Sequence, residues 1–403
     1  MVDKTIIKKI KAQVESKCEE MLSFFREIVA IPSTDSDIGA VAKRVEAELK
    51  KLNYDAVWWD KMGCIIGRIG SEDAEVHLLY DSHLDTVGIG DIDEWDWHPF
   101  EGKEENGFLY ARGACDEKAS TPSMMYGLAI ARDLGLIPDN MAVYYFGNIE
   151  EVNEGGAANA FVVTEGIHPD YVVVGEPTNL NISRGQKGRV EYQITAKGKS
   201  SHAASNHLGD NALYKILPII EQIKQRQDDL PNDDFLGQAR ITVTHLEVHA
   251  GSRNVVPSAV TIYVDRRLIA GEDAYEELKQ LQALIGERDD ITIKIPEFDE
   301  PSYTGFVFPL EMVYPTWLMP EDHPFVQMGL ETSKQVAIES QISKWDFSTN
   351  GIYWAGKAHI PTIGFGPGEE QYAHTVLDQV KLDDVVKATE WYTLFPAVLK
   401  EKS

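Results

Sequence analysis

Five separated segments of this chain each run to a histidine or to acidic residues. VHLLYDSHLD brings Asp81, His83 and Asp85, and FLYARGACDEK brings Asp116 and Glu117. VYYFGNIEE brings Glu150 and Glu151, YVVVGEPT brings Glu176, and FGPGEEQYAHT brings His374. Imidazole nitrogen and carboxylate oxygen together suit Zn2+, and Mn2+ or Co2+ can use the same donors. The donors outnumber what one tetrahedral ion takes, so the pattern predicts two ions sharing a carboxylate. The neighbours Glu150 and Glu151 repel each other, and in a partly buried cleft at least one needs a cation or a proton. A metal can neutralise one of them. The other is then free to take a proton from water, which is hydrolytic chemistry.

Elements with a definite order must position these residues. Apolar spacing predicts helices over 5–30 and 41–54, then short strands in DAVWWD, CIIGRIG and VHLLYD. A helix is expected over 121–135 with Thr121 as N-cap and Pro122 at the first position. Strand MAVYYF, helix GGAANAFVVTE and strand YVVVGE follow, and this alternation predicts an α/β layer with a mixed, largely parallel sheet. Ligands of such sheets bind beyond the carboxyl ends of the strands. From about Ser183 the texture changes to period-two alternation, and the order β, α, β, β, α, β up to ITIKI reads as a ferredoxin-like α+β unit. The expected division is therefore 1–183 and 298–403 for one domain, with 184–297 inserted as a second.

Composition narrows the function. At 403 residues, with 43% apolar and 26% charged residues, the chain is an ordinary globular protein long enough for two domains. A formal charge of −27 makes nucleic acid a poor partner. No apolar run is long enough for a membrane span. The amphipathic start lacks the apolar stretch of a signal peptide, so a cytoplasmic location is expected. Cys18, Cys64 and Cys115 are three and far apart, which does not suggest a disulfide framework.

The motifs resemble those of the M20 metallopeptidase and amidohydrolase family, which includes acetylornithine deacetylase, succinyl-diaminopimelate desuccinylase, aminoacylase and carboxypeptidase G. His83-Leu84-Asp85-Thr86-Val87 is similar to its first motif, and Ala111 to Lys118 to its Gly-Arg-Gly-x-x-Asp-x-Lys motif. Glu150 to Gly156, Gly175 to Thr178 and Ser201 to Ala203 match three more, in order. The segment YPTWLMPEDHP further resembles the branch of selenium-metabolism-linked hydrolases. The resemblance implies a zinc-peptidase-like catalytic domain with an inserted lid that makes a homodimer. It implies one metal on His83 and Glu176, another on Glu151 and His374, and Asp116 bridging them. It makes Glu150 the general base, and Asp85 the group that orients His83. His202 of the lid would reach across the dimer to the reacting carbonyl, while Asn254 and Arg267 would hold a substrate carboxylate. A cis peptide is implied after Asp116. The expected activity is hydrolysis of an amide bond in an N-acyl amino acid, dipeptide or ureido acid, and the alternative is a catalytically silent binding protein on the same fold.

The chain departs from the family pattern at Gly88, Ala111, Glu117, Ile149 and the pair Leu377-Asp378, none of them a ligand position. Glu117 and Cys115 change the wall beside the bridging carboxylate. Cys115 by itself reads as an inert small residue and His98 as a loop-packing residue. Arg266 and Arg267 are adjacent on an alternating strand and must face opposite sides, which puts one of them at the surface.

Overall fold

The computed structural model describes residues 3–34, 38–149, 151 and 156–402. Helix α1 (Lys4–Val29) is capped by Asp3, whose carboxylate accepts from the Thr5 N–H, and it buries Ile10, Val14, Met21, Phe24, Phe25 and Ile28 along one face. Then come α2 (Ile38–Lys51), β1 (Ala56–Trp59), β2 (Ile65–Ile69), β3 (Val76–His83), α3 (Ser120–Asp133), β4 (Met141–Asn148), α4 (Gly156–Glu165), β5 (Tyr171–Val174) and β6 (Ile182–Gln186). A second group follows: β7 (Gly188–Lys197), α5 (Ala212–Arg226), β8 (Arg240–His249), β9 (Ala259–Leu268), α6 (Ala274–Ile285) and β10 (Ile291–Lys294). The chain ends with β11 (Trp317–Leu318), α7 (Pro324–Gln335), β12 (Ile342–Trp345), β13 (Thr362–Gly364) and α8 (Leu382–Lys402).

Among the described residues, nine strands form the larger sheet in the order β1-β2-β4-β3-β5-β13-β6-β11, with β12 also on β6. The pairs β3–β4, β3–β5, β5–β13 and β6–β12 are parallel, and the others are antiparallel. Every residue of β4 is buried, as a strand inside a covered sheet requires. Helices α1, α3 and α8 pack on one another, and α3 lies against β3 and β4. Thr121 does not cap α3: the helix starts at Ser120 after Ala119, which makes no side-chain cap bond. The Thr121 hydroxyl turns inward to Ser82 and Tyr145, because this helix start is buried and its polar groups find partners in the core.

The smaller sheet is antiparallel, in the order β8-β9-β7-β10, and Val313–Tyr314 adds a short fifth strand beside β7. That order, with α5 and α6 between strands, is ferredoxin-like. The burial of β7 alternates strictly, so one face is packed and the other is open. The smaller sheet has its own apolar cluster, including Tyr192, Ile194, Ile216, Ile262 and Leu281. The change from one sheet to the other falls between Gln186 and Gly188.

Candidate metal centre

Parallel strands of the larger sheet carry the site at their carboxyl ends. β3 ends on His83, which lies opposite Asn148 at the end of β4. β5 ends at Val174, two residues before Glu176. Asp116 sits in the turn before α3. At Gly113 that turn takes φ 82°, and a Cβ there would stand 2.6 Å from the Thr86 methyl, so the position needs glycine. The buried Asp378 carboxylate holds the turn by accepting from the N–H groups of Gly113 (2.7 Å) and Cys115 (2.8 Å) and from Arg112 (3.1 Å). Arg112 also donates to the Thr375 carbonyl at 3.1 Å, which ties the turn of Asp116 to the turn of His374. Burial pushes the Asp378 carboxyl up to about 7 against those donors. His374 holds φ 60°, a left-handed conformation uncommon outside glycine and typical of functional turns. The Asp116–Glu117 peptide is cis, as the resemblance implied.

These turns converge on Asp116. Its Oδ1 lies 2.9 Å from His83 Nε2, and its Oδ2 lies 3.1 Å from His374 Nε2. Glu176 Oε1 stands 3.7 Å from the same His83 nitrogen. Asp85 orients His83 chiefly through its backbone: its carbonyl lies 2.9 Å from Nδ1, while its carboxylate is 3.5 Å away and accepts from the Glu151 N–H at 3.3 Å. Glu117 accepts from the His83 N–H through one oxygen, and its other oxygen is buried with no partner, as is Oε2 of Glu176. Ligand atoms of His83, Glu117 and Glu176 lie within 4.8 Å of one another. A cavity of about 430 Å3 opens over this floor, with Val87 and Phe347 on its walls and Arg189 and Arg267 of the smaller sheet beside it.

The electrostatics call for a cation. Burial raises Glu176 well above the usual range, and the Glu117, Asp116 and Glu151 carboxylates add to the rise. Burial likewise carries Glu151 up to about 8, with Asp85 and Asp116 reinforcing it. Burial would also raise Asp116, but the His374 and His83 imidazoles outweigh it and hold the group low. The donors are spaced for a metal, because bonds of 2.0–2.1 Å to a tetrahedral ion put its ligand atoms about 3.3 Å apart. The residues therefore fit a divalent ion: mixed nitrogen and oxygen donors, near that spacing, with a buried carboxylate oxygen unsatisfied.

The structure thus brings together His83, Asp85, Asp116, Glu151, Glu176 and His374, with Arg267 at the cavity wall. Glu150 lies outside the described residues. His202 and Asn254 are neighbours beside the smaller sheet, joined by the bond from the Ala203 N–H to the Asn254 carbonyl at 2.9 Å. Both are exposed and apart from the cavity lining. Arg266 is not a surface residue. It is fully buried and paired with Glu272, in the turn before α6, and with Glu277 on α6, because its face of β9 packs against these two carboxylates. Asp81, at the same strand ends, is structural: Trp354, Asn148 and Asn350 donate to it at 2.6, 2.8 and 3.2 Å. Asp378 was noted only as a departure from a motif, and Arg189 was not singled out. The only sequence signal for Arg189 is its place at the start of an alternating strand.

Residues 79–397 match the sequence profile of Peptidase family M20/M25/M40. The chain belongs to this family. The uncharacterized protein YgeY of Escherichia coli (strain K12) is 35% identical over 382 residues, 94% of each chain. A succinyl-diaminopimelate desuccinylase of Legionella pneumophila (strain Corby) is 30% identical over 213 residues, 50% of this chain and 55% of its own. Among solved structures, the M20 family metallo-carboxypeptidase Sso-CP2 of Sulfolobus solfataricus superposes with a TM-score of 0.71 at 19% identity, over 94% of this chain and 99% of that one. Bacillus subtilis YxeP, described as a dinuclear metal binding peptidase from the M20 family, gives 0.70 at 11% identity, over 96% and 100%. This M20 protein is a metal-dependent hydrolase with an α/β fold. None of its described helices is long and apolar enough to cross a membrane.

Proposed function

We propose that this M20 protein holds two divalent ions, zinc first among them with Mn2+ or Co2+ able to replace it, and hydrolyses an amide bond in a small substrate that carries a carboxylate. One observation carries the reading: the Asp116 carboxylate lies between the His83 and His374 imidazoles, at 2.9 and 3.1 Å. His83 and Glu176 would hold one ion and Glu151 and His374 the other, with Asp116 serving both. Bound there, the ions supply Lewis acidity toward a carbonyl oxygen and acidify water. Asp85 fixes the ring of His83 so that Nε2 faces the site. Glu150, beside Glu151 in sequence, takes the proton of the attacking water and returns it to the leaving amine. The desuccinylase among the relatives and the yeast dipeptidase Dug1p among the structural neighbours both point to amide hydrolysis.

The inserted segment 184–297 acts as a lid and pairs with a second copy, and His202 and Asn254 work from there on the partner's substrate. Support comes from apolar side chains left exposed on α5 and the edge strand β8, namely Tyr214, Leu217, Leu246 and Val248. A cytoplasmic location agrees with three cysteines that form no disulfide.

The test pairs metal content with hydrolysis of N-acyl amino acids, dipeptides and ureido acids, for wild type and Glu150→Gln. About two ions per chain in both proteins, with kcat lowered about 10²- to 10⁴-fold only in the variant, is the expected result. Equal turnover in both removes Glu150 from the mechanism and sinks the reading, whereas no metal and no turnover in either favours the silent binding protein.

A further inference from the structure

The buried carboxylates around the candidate metal centre are not equally satisfied. Asp81 and Asp378 each take three donors. Glu117, which is 1% exposed, takes one: the His83 N–H donates to its Oε1, and its Oε2 is buried with no partner among the described residues. The next residue does not neutralise it, because the buried ammonium of Lys118 donates to the carbonyls of Ile28 and Ile31 at 3.0 Å each. Glu176 repeats the pattern, with its Oε2 likewise buried and unpartnered. Ligand atoms of these two glutamates and of His83 lie within 4.8 Å of one another. Buried polar atoms are normally satisfied, and a buried charge needs a partner. A single cation beside the imidazole nitrogen meets both carboxylates at once. A proton shared between the carboxylates is the other way to satisfy them, but it makes no use of the nitrogen.

We infer that Glu117 is a fourth protein donor to the ion of His83, Glu176 and Asp116. This inference rests on the two-ion reading above. The number of donors then separates the two positions. The first ion would have four from the protein, namely His83, Asp116, Glu117 and Glu176, which is what a tetrahedral zinc takes in a closed site. The second would have three, namely Asp116, Glu151 and His374, and an open position of the kind that catalytic sites keep for water or substrate. Exposure runs the same way. The side chains of His83 and Glu176 are 5% and 2% exposed, whereas that of His374 is 65% exposed. The His83 ion would therefore be the slow one to leave, held partly by two adjacent residues of one turn, and the His374 ion the exchangeable one.

The experiment follows loss of zinc from full-length, zinc-loaded protein to a chelating indicator, a readout independent of turnover. Wild type should release two ions per chain in two phases, one ion in each. Glu176→Gln should erase the slow phase and His374→Ala the fast one, which assigns them. Glu117→Gln keeps the length of the side chain and an acceptor for the His83 N–H, but it puts an amide nitrogen, a poor zinc donor, where the free oxygen was. It should weaken the slow ion at least ~10- to 100-fold and leave the fast phase in place. With Co2+ in the slow position, the visible absorption should change in the same variant, because a ligand has been lost. Glu117→Met fills the space without an oxygen and should act alike. If it does not fold, Glu117→Gln decides alone. Wild-type affinity in Glu117→Gln overturns the assignment whatever Glu117→Met does, since a group that only makes hydrogen bonds survives that change. Release of both ions in a single phase from wild type overturns the division into closed and open positions. If wild type holds one ion and Glu117→Gln loses it, the two-ion reading fails and the ligand stands. If wild type holds two and neither variant alters their release, the inference fails and the two-ion reading stands. No ion in wild type overturns both.

Discussion

On α6, packed against the smaller sheet, buried Glu277 accepts from Arg226 through two hydrogen bonds of 3.0 Å each, and buried Arg266 approaches it at 3.4 Å. At the strand ends of the larger sheet, Glu176 is as deeply buried but has no guanidinium or ammonium within ion-pair reach among the described residues. Its closest partner of opposite tendency is the His83 imidazole at 3.7 Å, and its other neighbours are carboxylates. One region balances its buried charge from within, and the other leaves a deficit of positive charge. Taking ions out of water costs several kcal/mol each, so an internal pair makes structure whereas an uncompensated cluster requires a cation from outside. Arg189 and Arg267 of the smaller sheet reach the cavity over that cluster.

The sharpest way to break this contrast is Asp116→Asn. It removes the one carboxylate that faces both imidazoles, and loss of the metals' Lewis acidity is worth several kcal/mol, on the order of 10³-fold or more in rate. Chelator competition should show ion affinity falling at least ~100-fold. Unchanged affinity would mean that the cluster is not the metal centre. Glu277→Gln on α6 is the counterpart beside the smaller sheet. It leaves Arg266 and Arg226 short of a charge and should cost about 3–5 kcal/mol in denaturant unfolding with ion affinity unaltered. Stability within ~1 kcal/mol of wild type would mean that the buried pair is as dispensable as a surface one.

Withdrawal of metal sharpens the comparison further. An ion at 100 times its Kd stabilises the folded state by about 2.7 kcal/mol, so a chelator should lower the thermal midpoint of wild type clearly and that of Asp116→Asn little. A third buried carboxylate gives the smallest effect and serves as a control. Burial pushes Asp60 up to about 6, although the Gly63 and Cys64 N–H groups donate to it at 2.8 Å each. Its folded value lies above the ordinary one near 4, so its contribution to stability is fully present below pH 4 and is lost as pH rises through about 6. Asn accepts the same bonds without the charge. The difference between Asp60→Asn and wild type should therefore grow in favour of the variant by roughly 2 kcal/mol from pH 4 to pH 7, measured by urea unfolding at each pH. A difference independent of pH would show that Asp60 is solvated.

Residue types and local periodicity settled much of this protein. Donor residues at the ends of apolar strands indicated metal chemistry, and the change from runs to alternation near Ser183 separated the two sheets. Both signals are local, because one strand's composition already reflects whether one or both of its faces are covered. Only tertiary structure decided where charge is compensated. Arg266 looked like a candidate for the surface until α6 placed Glu277 over it. Asp378 looked like a departure from a motif until it was found holding the turn of Asp116. Asp85 was expected to orient His83, and only the structure showed that its shorter approach is through the carbonyl rather than the carboxylate. Strand register alone set Arg189 opposite Arg267. Register and long-range packing depend on how distant segments fit together, and a local pattern does not contain that information.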